Sequence, residues 1–107
     1  MTATSLATSH TTYLTAAFYK FVELSNFAEL KEPLLAFCES QDVKGTILLA
    51  NEGINSTIAG PEAGVRAVLA YLRNDPRLAT LEHKESWSTK PPFYRMKVKL
   101  KKEIVTM

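Results

Sequence analysis

Closely spaced cations in the last quarter of the chain are the side chains best suited to binding a partner. Most fall at every second position: Lys84, Arg95, Lys97, Lys99 and Lys101. We expect them to form one basic ribbon, because alternate residues of a β-strand lie on one face and can follow the phosphates of a nucleic acid. Lysines on an edge strand also prevent the sheets of separate molecules from pairing. The residues alone leave both roles open.

The distribution of charge favours an anionic partner for this segment. Residues 1 to 83 carry six Lys or Arg and nine Asp or Glu, whereas residues 84 to 107 carry seven and two. The first part therefore has a formal charge of −3 and the second a charge of +5. Such a division predicts contact with anionic groups, although solvated strand faces have the same composition.

The chain as a whole has the composition of one globular domain. Its 107 residues are 46% hydrophobic and 22% charged, which predicts neither a membrane span nor a membrane partner. The single cysteine, Cys38, excludes an internal disulfide and predicts a reducing, cytoplasmic setting. His10 and His83 have no suitably spaced partners, so no metal site is predicted.

Catalytic patterns are missing from the sequence. It has no nucleophile paired with a base, no paired carboxylates and no glycine-rich phosphate loop. An acylphosphatase would need glycines and an arginine in the loop after the first strand, but that loop is acidic here, Glu23-Leu24-Ser25-Asn26. Cys38 falls on the apolar face of a predicted helix and is interpreted as core. We therefore expect these residues to bind rather than to catalyse, with no cofactor of their own.

A hairpin over residues 44–60 is the element around which the other strands must be arranged. An apolar run at 47–50 leads into a turn in which Gly53 supplies positive φ, and apolar and polar residues alternate afterwards. Residues 13–24 are apolar or aromatic on both faces, which predicts a central strand. Residues 81–87 indicate a polar edge strand, and the alternation from residue 93 indicates a strand with one basic face.

Two helices are predicted between the strands. The first covers residues 26–40, with Asn26 and Glu29 as a capping pair. Pro33 interrupts its pattern, and we expect a kink there rather than a late start. Pro61 takes the first position of a second, amphipathic helix over residues 61–73.

The order of these elements predicts an α+β class. It is the ferredoxin-like βαββαβ pattern, with an antiparallel sheet, two helices on one face and an additional C-terminal basic strand. Residues 1–12, rich in Ser and Thr, are predicted to be a mobile tail, and residues 13–107 form the domain. The chain stops soon after Ile104-Val105 without a cap or turn signal, so we expect it to be an N-terminal fragment of a longer protein.

RNA recognition motifs share this topology and carry stacking aromatic side chains on two of their strands. Tyr19 and Phe21 lie on the first predicted strand, but residues 54–60 contain neither aromatic nor basic side chains. Half of the expected signature is therefore missing, and we interpret Tyr19 and Phe21 as core rings.

Three blocks in one order carry a family resemblance: GTILLANEGINSTIAG at 45–60, HKES at 83–86 and FYRMKVKLKKEIVT at 93–106. Together they resemble the N-terminal domain of the rhodanese-domain tRNA uridine hydroxylases, the TrhO or YceA-like family. The resemblance covers residues 17–106 and leaves only the Ser/Thr-rich start outside.

The resemblance implies a bacterial, cytoplasmic protein in which this acylphosphatase-like domain precedes a rhodanese domain carrying the active-site cysteine. Such proteins use oxygen to hydroxylate carbon 5 of the tRNA wobble uridine. The implied partners are tRNA, at its anticodon region, and the C-terminal rhodanese domain of the same protein. RNA contact is carried over only onto the five cations named above. The alternative is a structural or regulatory module that packs on the rhodanese domain or on a second copy.

Overall fold

Five strands, two helices and one short 3₁₀ turn make up the described part of the chain, residues 12–104 of a computed structural model. The predicted tail, with His10, lies outside the described residues except for Thr12, and so do residues 105–107. The elements in chain order are β1 (Tyr13–Phe21), α1 (Phe27–Ser40), β2 (Lys44–Ala50), β3 (Gly53–Gly60), α2 (Glu62–Arg73), the 3₁₀ turn (Pro76–Leu78), β4 (His83–Ser88) and β5 (Met96–Leu100).

The strands form one sheet in the order β4-β1-β3-β2-β5. The first four are antiparallel neighbours, which confirms the ferredoxin-like α+β fold and the central place of β1. The additional strand β5 pairs in parallel with β2, so the complete sheet is mixed. Strands β4 and β5 are therefore the two edges.

Both helices pack on one face of the sheet, as predicted. Helix α1 lies over β2 and β5, and α2 lies over β1 and β3. Alternate residues of β1 point towards them, and Leu14, Ala16 and Phe18 are buried there. Cys38 of α1 belongs to this core, and burial raises the pKa of its thiol to about 12, so it packs as a small apolar group. Neither helix among the described residues is long and apolar enough to cross a membrane.

The helix starts differ from the prediction in their capping. Asn26 makes no side-chain cap to α1; its Oδ1 accepts a hydrogen bond from Arg77 Nη1 at 2.8 Å. The predicted capping pair is therefore wrong, because the Asn26 side chain binds Arg77, 51 positions along the chain, instead of capping the helix. Helix α1 begins at Phe27 and continues through Pro33, which excludes a late start. Pro61 is the N-cap of α2, with an extended ψ of 143°, rather than its first residue.

The hairpin turn between β2 and β3 closes against the end of β1. Gly53 has φ of +147°, and a Cβ atom at this position would lie 2.0 Å from the carbonyl oxygen of Lys20. Only glycine fits without moving one of the two strands, which confirms the predicted role of Gly53. The backbone N–H groups of Val22 and Leu24 donate to carbonyl oxygens of the turn, those of Glu52 and Asn51.

Candidate nucleic-acid interface

Strand β5 holds its basic side chains on the sheet face that the helices leave uncovered, here called the open face. Val98 is only 4% exposed and packs in the core under α1. The N–H of Gly45 donates to the oxygen of Arg95, and that of Lys101 donates to the oxygen of Leu49, each at 2.8 Å, so pairing extends one residue beyond each end of β5. Because side chains alternate along a strand, the residues one and three positions before and after Val98 point to the open face. These are Arg95, Lys97, Lys99 and Lys101.

All five predicted cations are exposed. Within residues 12–104 none of them forms a salt bridge, and the lysine and arginine ion pairs that exist use Lys44, Arg66 and Arg77 instead. Their charges are therefore available to a ligand rather than neutralised by neighbouring carboxylates.

Lys84 does not continue the ribbon of β5. It lies on β4, at the other edge of the sheet, so the predicted single ribbon from Lys84 to Lys101 is wrong. The register nevertheless places Lys84 and Lys97 at the two ends of one row across the open face. Ala17, Thr57 and Thr46 fill the row between them. Four strand spacings separate the two lysines, about 19 Å.

A hydrogen-bonded network on the helix side of β4 fixes Lys84 on the open face. Arg66 of α2 donates to Glu85 at 2.9 Å, and His83 Nε2 lies 2.7 Å from the same carboxylate oxygen. Arg73 Nη2 lies 3.0 Å from His83 Nδ1 and also donates to the Leu81 carbonyl oxygen. Arg66, and then His83, lower the pKa of Glu85 to about 2, so its carboxylate stays ionised. His83 and Glu85 point towards α2. Because side chains alternate along a strand, Lys84, which lies between them, points to the open face.

Tyr19 and Phe21 also lie on the open face, 65% and 56% exposed. The interpretation of these two as core rings is therefore wrong. The sequence did contain the signal: they share the phase of Thr15 and Ala17, whereas Leu14, Ala16 and Phe18 share the other phase. Aromatic character on both faces does not require burial on both faces, and the neighbouring residues of β3 on this side, Asn55 and Thr57, are polar.

A shallow groove of about 510 Å³ opens beside Tyr19. Tyr19 and Ala17 of β1, Asn55 and Thr57 of β3, and Glu82, His83 and Lys84 near the start of β4 contribute to its lining. The groove therefore connects the aromatic side chains with one of the candidate phosphate contacts.

The segment after β5 is fastened to the hairpin by Ile104, which is fully buried. Asn55 Nδ2 donates to the carbonyl oxygen of Ile104 at 2.8 Å, and the N–H of Ile104 donates to Glu52 Oε2 at 3.0 Å. We name these contacts the Ile104 clasp. They fix the position of the Asn55 amide through one of its N–H groups.

The loop after β1 does not form a phosphate cradle. The N–H groups of Val22 and Leu24 already donate to the hairpin turn, and Glu23 adds negative charge. Across residues 12–104 no three His, Cys, Asp or Glu side chains are grouped so that they could hold a metal ion. The open face, with its cations and two aromatic side chains, is the strongest candidate site.

A family model named the UPF0176 acylphosphatase like domain matches residues 13–104. The chain belongs to this family. The matched range includes β1 to β5 and the Ile104 clasp, which is the whole fold described above.

Proteins named tRNA uridine(34) hydroxylase are close relatives of this UPF0176 domain. That of Albidiferax ferrireducens is 77% identical over 97 residues, which are 91% of this chain and 30% of the relative. That of Acaryochloris marina is 64% identical over 95 residues, 89% of this chain and 31% of the relative. The family resemblance found in the sequence is confirmed. The chain spans about 30% of the length of these curated relatives.

Solved structures share the fold of the UPF0176 domain at low sequence identity. BlrB, a BLUF protein in its dark state, superposes with a TM-score of 0.67 at 14% identity, covering 85% of this chain and 74% of BlrB. An acylphosphatase from Coxiella burnetii gives a TM-score of 0.50 at 12% identity, covering 86% and 96%. These similarities support the α+β fold and carry no information on function.

Proposed function

We propose that this domain holds tRNA while a longer protein of which it is part hydroxylates the wobble uridine in an oxygen-dependent reaction. In this proposal the domain binds the anticodon region, and the chemistry belongs to a C-terminal rhodanese domain. A tRNA substrate also favours a cytoplasmic location. The relatives named tRNA uridine(34) hydroxylase supply the substrate class.

The observation that carries the proposal is the column of exposed cations without ion pairs along β5. Arg95, Lys97, Lys99 and Lys101 follow one another on the open face at intervals of two residues, about 6.6 Å apart along the strand. Charges spaced in this way can contact successive phosphates and release the counterions condensed on them. Lys84, across the same face, can contact a second part of a folded RNA.

The test is a titration of the 107-residue chain with a tRNA anticodon stem-loop at low and high salt, comparing the parent with Lys97→Glu/Lys99→Glu. We expect the double variant to bind at least about tenfold more weakly and the slope of log Kd against log salt to fall by about two. Lys31→Glu/Lys90→Glu is the matched control. It changes the net charge equally but lies on α1 and in the β4–β5 loop, so its effect should be smaller.

Equal effects of the two double variants would mean that net charge, not the β5 column, controls binding. Absence of binding by the parent chain would overturn the proposal. The second candidate, a structural or regulatory module that packs on the rhodanese domain or on a second copy, would then be favoured, since Tyr19 and Phe21 offer apolar surface for such packing.

A further inference from the structure

Two aromatic rings stand next to each other on the open face. The centroids of Tyr19 and Phe21 are 6.0 Å apart with an interplanar angle of 78°, an edge-to-face pair. Both side chains are more than half exposed, although each could bury a large apolar area. Exposed adjacent rings are typical of surfaces that bind a planar or apolar ligand.

The chemistry around the rings favours RNA over an apolar partner. Tyr19 lies in one cross-sheet row with Asn55, Leu48 and Lys99, so a cation of β5 stands at the end of its row, beyond the Ile104 clasp at Asn55. On the other side, the 510 Å³ groove leads from Tyr19 to Lys84 and contains the exposed Glu82, whose carboxylate can accept from the N–H groups of a base. Positive charge therefore flanks the rings at both sheet edges, as a ligand with phosphates on either side of its bases requires.

We propose that Tyr19 and Phe21 form a stacking platform for unpaired bases of the RNA that the cations hold. This inference rests on the proposed function and adds to it the part of the RNA that is recognised. The faces of bases are accessible only where the RNA is single-stranded, whereas phosphates are present in loops and duplexes alike. The cations supply affinity for any RNA, and the rings select a loop over a stem.

The test compares three probes on the 107-residue chain: single-stranded oligouridine, an abasic oligonucleotide with the same number of phosphates, and an RNA duplex. We expect Tyr19→Leu/Phe21→Leu to weaken oligouridine binding about tenfold or more while affinity for the abasic strand and the duplex stays unchanged. Tyr19→Phe keeps a ring and should bind oligouridine like the parent. Tyr71→Leu, on the helix side, is the matched control for loss of an exposed ring.

The outcomes separate this inference from the proposed function. If Lys97→Glu/Lys99→Glu loses RNA binding but Tyr19→Leu/Phe21→Leu binds all three probes like the parent, the platform is overturned and the tRNA proposal stands. If the leucine variant weakens the binding of all three probes equally, the rings stabilise the fold rather than bind bases, and the platform is also overturned. Circular dichroism melts of each variant measure such a loss of stability directly. If the leucine variant abolishes a concentration-dependent dimer without changing RNA affinity, the rings form a self-association surface instead.

Discussion

One hydroxyl in the core has no hydrogen-bond partner. Ser56 of β3 lies opposite Phe18 of β1 and Ile47 of β2, with only 4% of its surface exposed. Its Oγ is the single buried side-chain oxygen or nitrogen without a partner among the described residues. Burying a hydroxyl without a hydrogen bond is unfavourable, so this residue lowers the stability of an otherwise apolar layer.

We therefore expect Ser56→Ala to stabilise the domain. Removing the unsatisfied hydroxyl should raise the free energy of unfolding by about 1 kcal/mol, because the methyl group fits the apolar surroundings and leaves almost no cavity. Urea denaturation followed by circular dichroism measures the change. Thr57→Ala, next in the chain but exposed on the open face, is the control and should lower the free energy of unfolding, by up to about 1 kcal/mol, because a central strand loses a β-branched side chain. A loss of stability in Ser56→Ala would show that the hydroxyl does have a partner.

Some side chains have their environment determined by the local sequence, and others by residues far away in the chain. The partner of Asn26 is Arg77, 51 positions along the chain, which no local capping rule could reveal. The exposure of Tyr19 and Phe21 follows from the phase of the strand, which places them on the face away from Leu14, Ala16 and Phe18. For Lys97 and Lys99, likewise, strict alternation with Val98 determines the face of the strand on which they lie.

At the scale of elements, charged and polar groups join α2 to β4. Glu62, Arg66, Glu85 and His83 form a continuous series of ion pairs and hydrogen bonds between the helix and the edge strand. Since this series is partly exposed to solvent, its contribution is sensitive to pH and salt.

This arrangement predicts an acid-dependent contribution to stability. The pKa of Glu85 is lower in the folded chain, about 2, than its ordinary value of 4.5, so protons bind preferentially to the unfolded chain. The stabilisation is therefore fully present above about pH 4.5 and is lost as the pH falls towards 2. Urea denaturation across this range should show the parent more stable than Glu85→Gln at pH 6, with the difference shrinking towards pH 2.

Glu23→Gln is the control for this series, because it removes an exposed carboxylate with no ion pair inside residues 12–104. A difference between the parent and Glu85→Gln that stays constant with pH would contradict the assignment. It would mean that the carboxylate acts through packing or a neutral hydrogen bond.

Element types and order could be predicted from the sequence, because the hairpin, both helices and β5 have strong local periodicity. The position of Lys84 could not. Closeness in sequence suggested one ribbon, but β4 joins β1 and β5 joins β2, so the loop between them connects opposite edges of the sheet. Strand order depends on tertiary packing, and the local pattern of an edge strand does not specify its neighbour.

At the scale of the whole molecule, the two faces of the sheet carry different kinds of side chain. The helix side contains the core, and the open face presents exposed cations at both edges and aromatic rings on β1. Ala17, Thr57 and Thr46 form the row between Lys84 and Lys97, so an extended ligand could cross the sheet there without meeting bulky side chains, whereas the Ile104 clasp lies over the neighbouring row at Asn55.

The edge formed by β5 should open more easily than the centre of the sheet. Hydrogen exchange followed by NMR should find lower protection for the amide of Lys101 than for amides in the β1–β3 pair, because β5 has one neighbouring strand and β3 has two. Equal protection throughout would show that the sheet opens only as a unit.

The Ile104 clasp has a consequence for the order of folding. Its two hydrogen bonds join residues 49 and 52 positions apart, and the parallel pairing of β5 with β2 closes a loop of similar length. Closing such loops costs entropy before any contact repays it, so this edge is expected to assemble after the local hairpin. The basic column then forms only after the hairpin has folded, and a nascent or partly unfolded chain would not capture RNA through it.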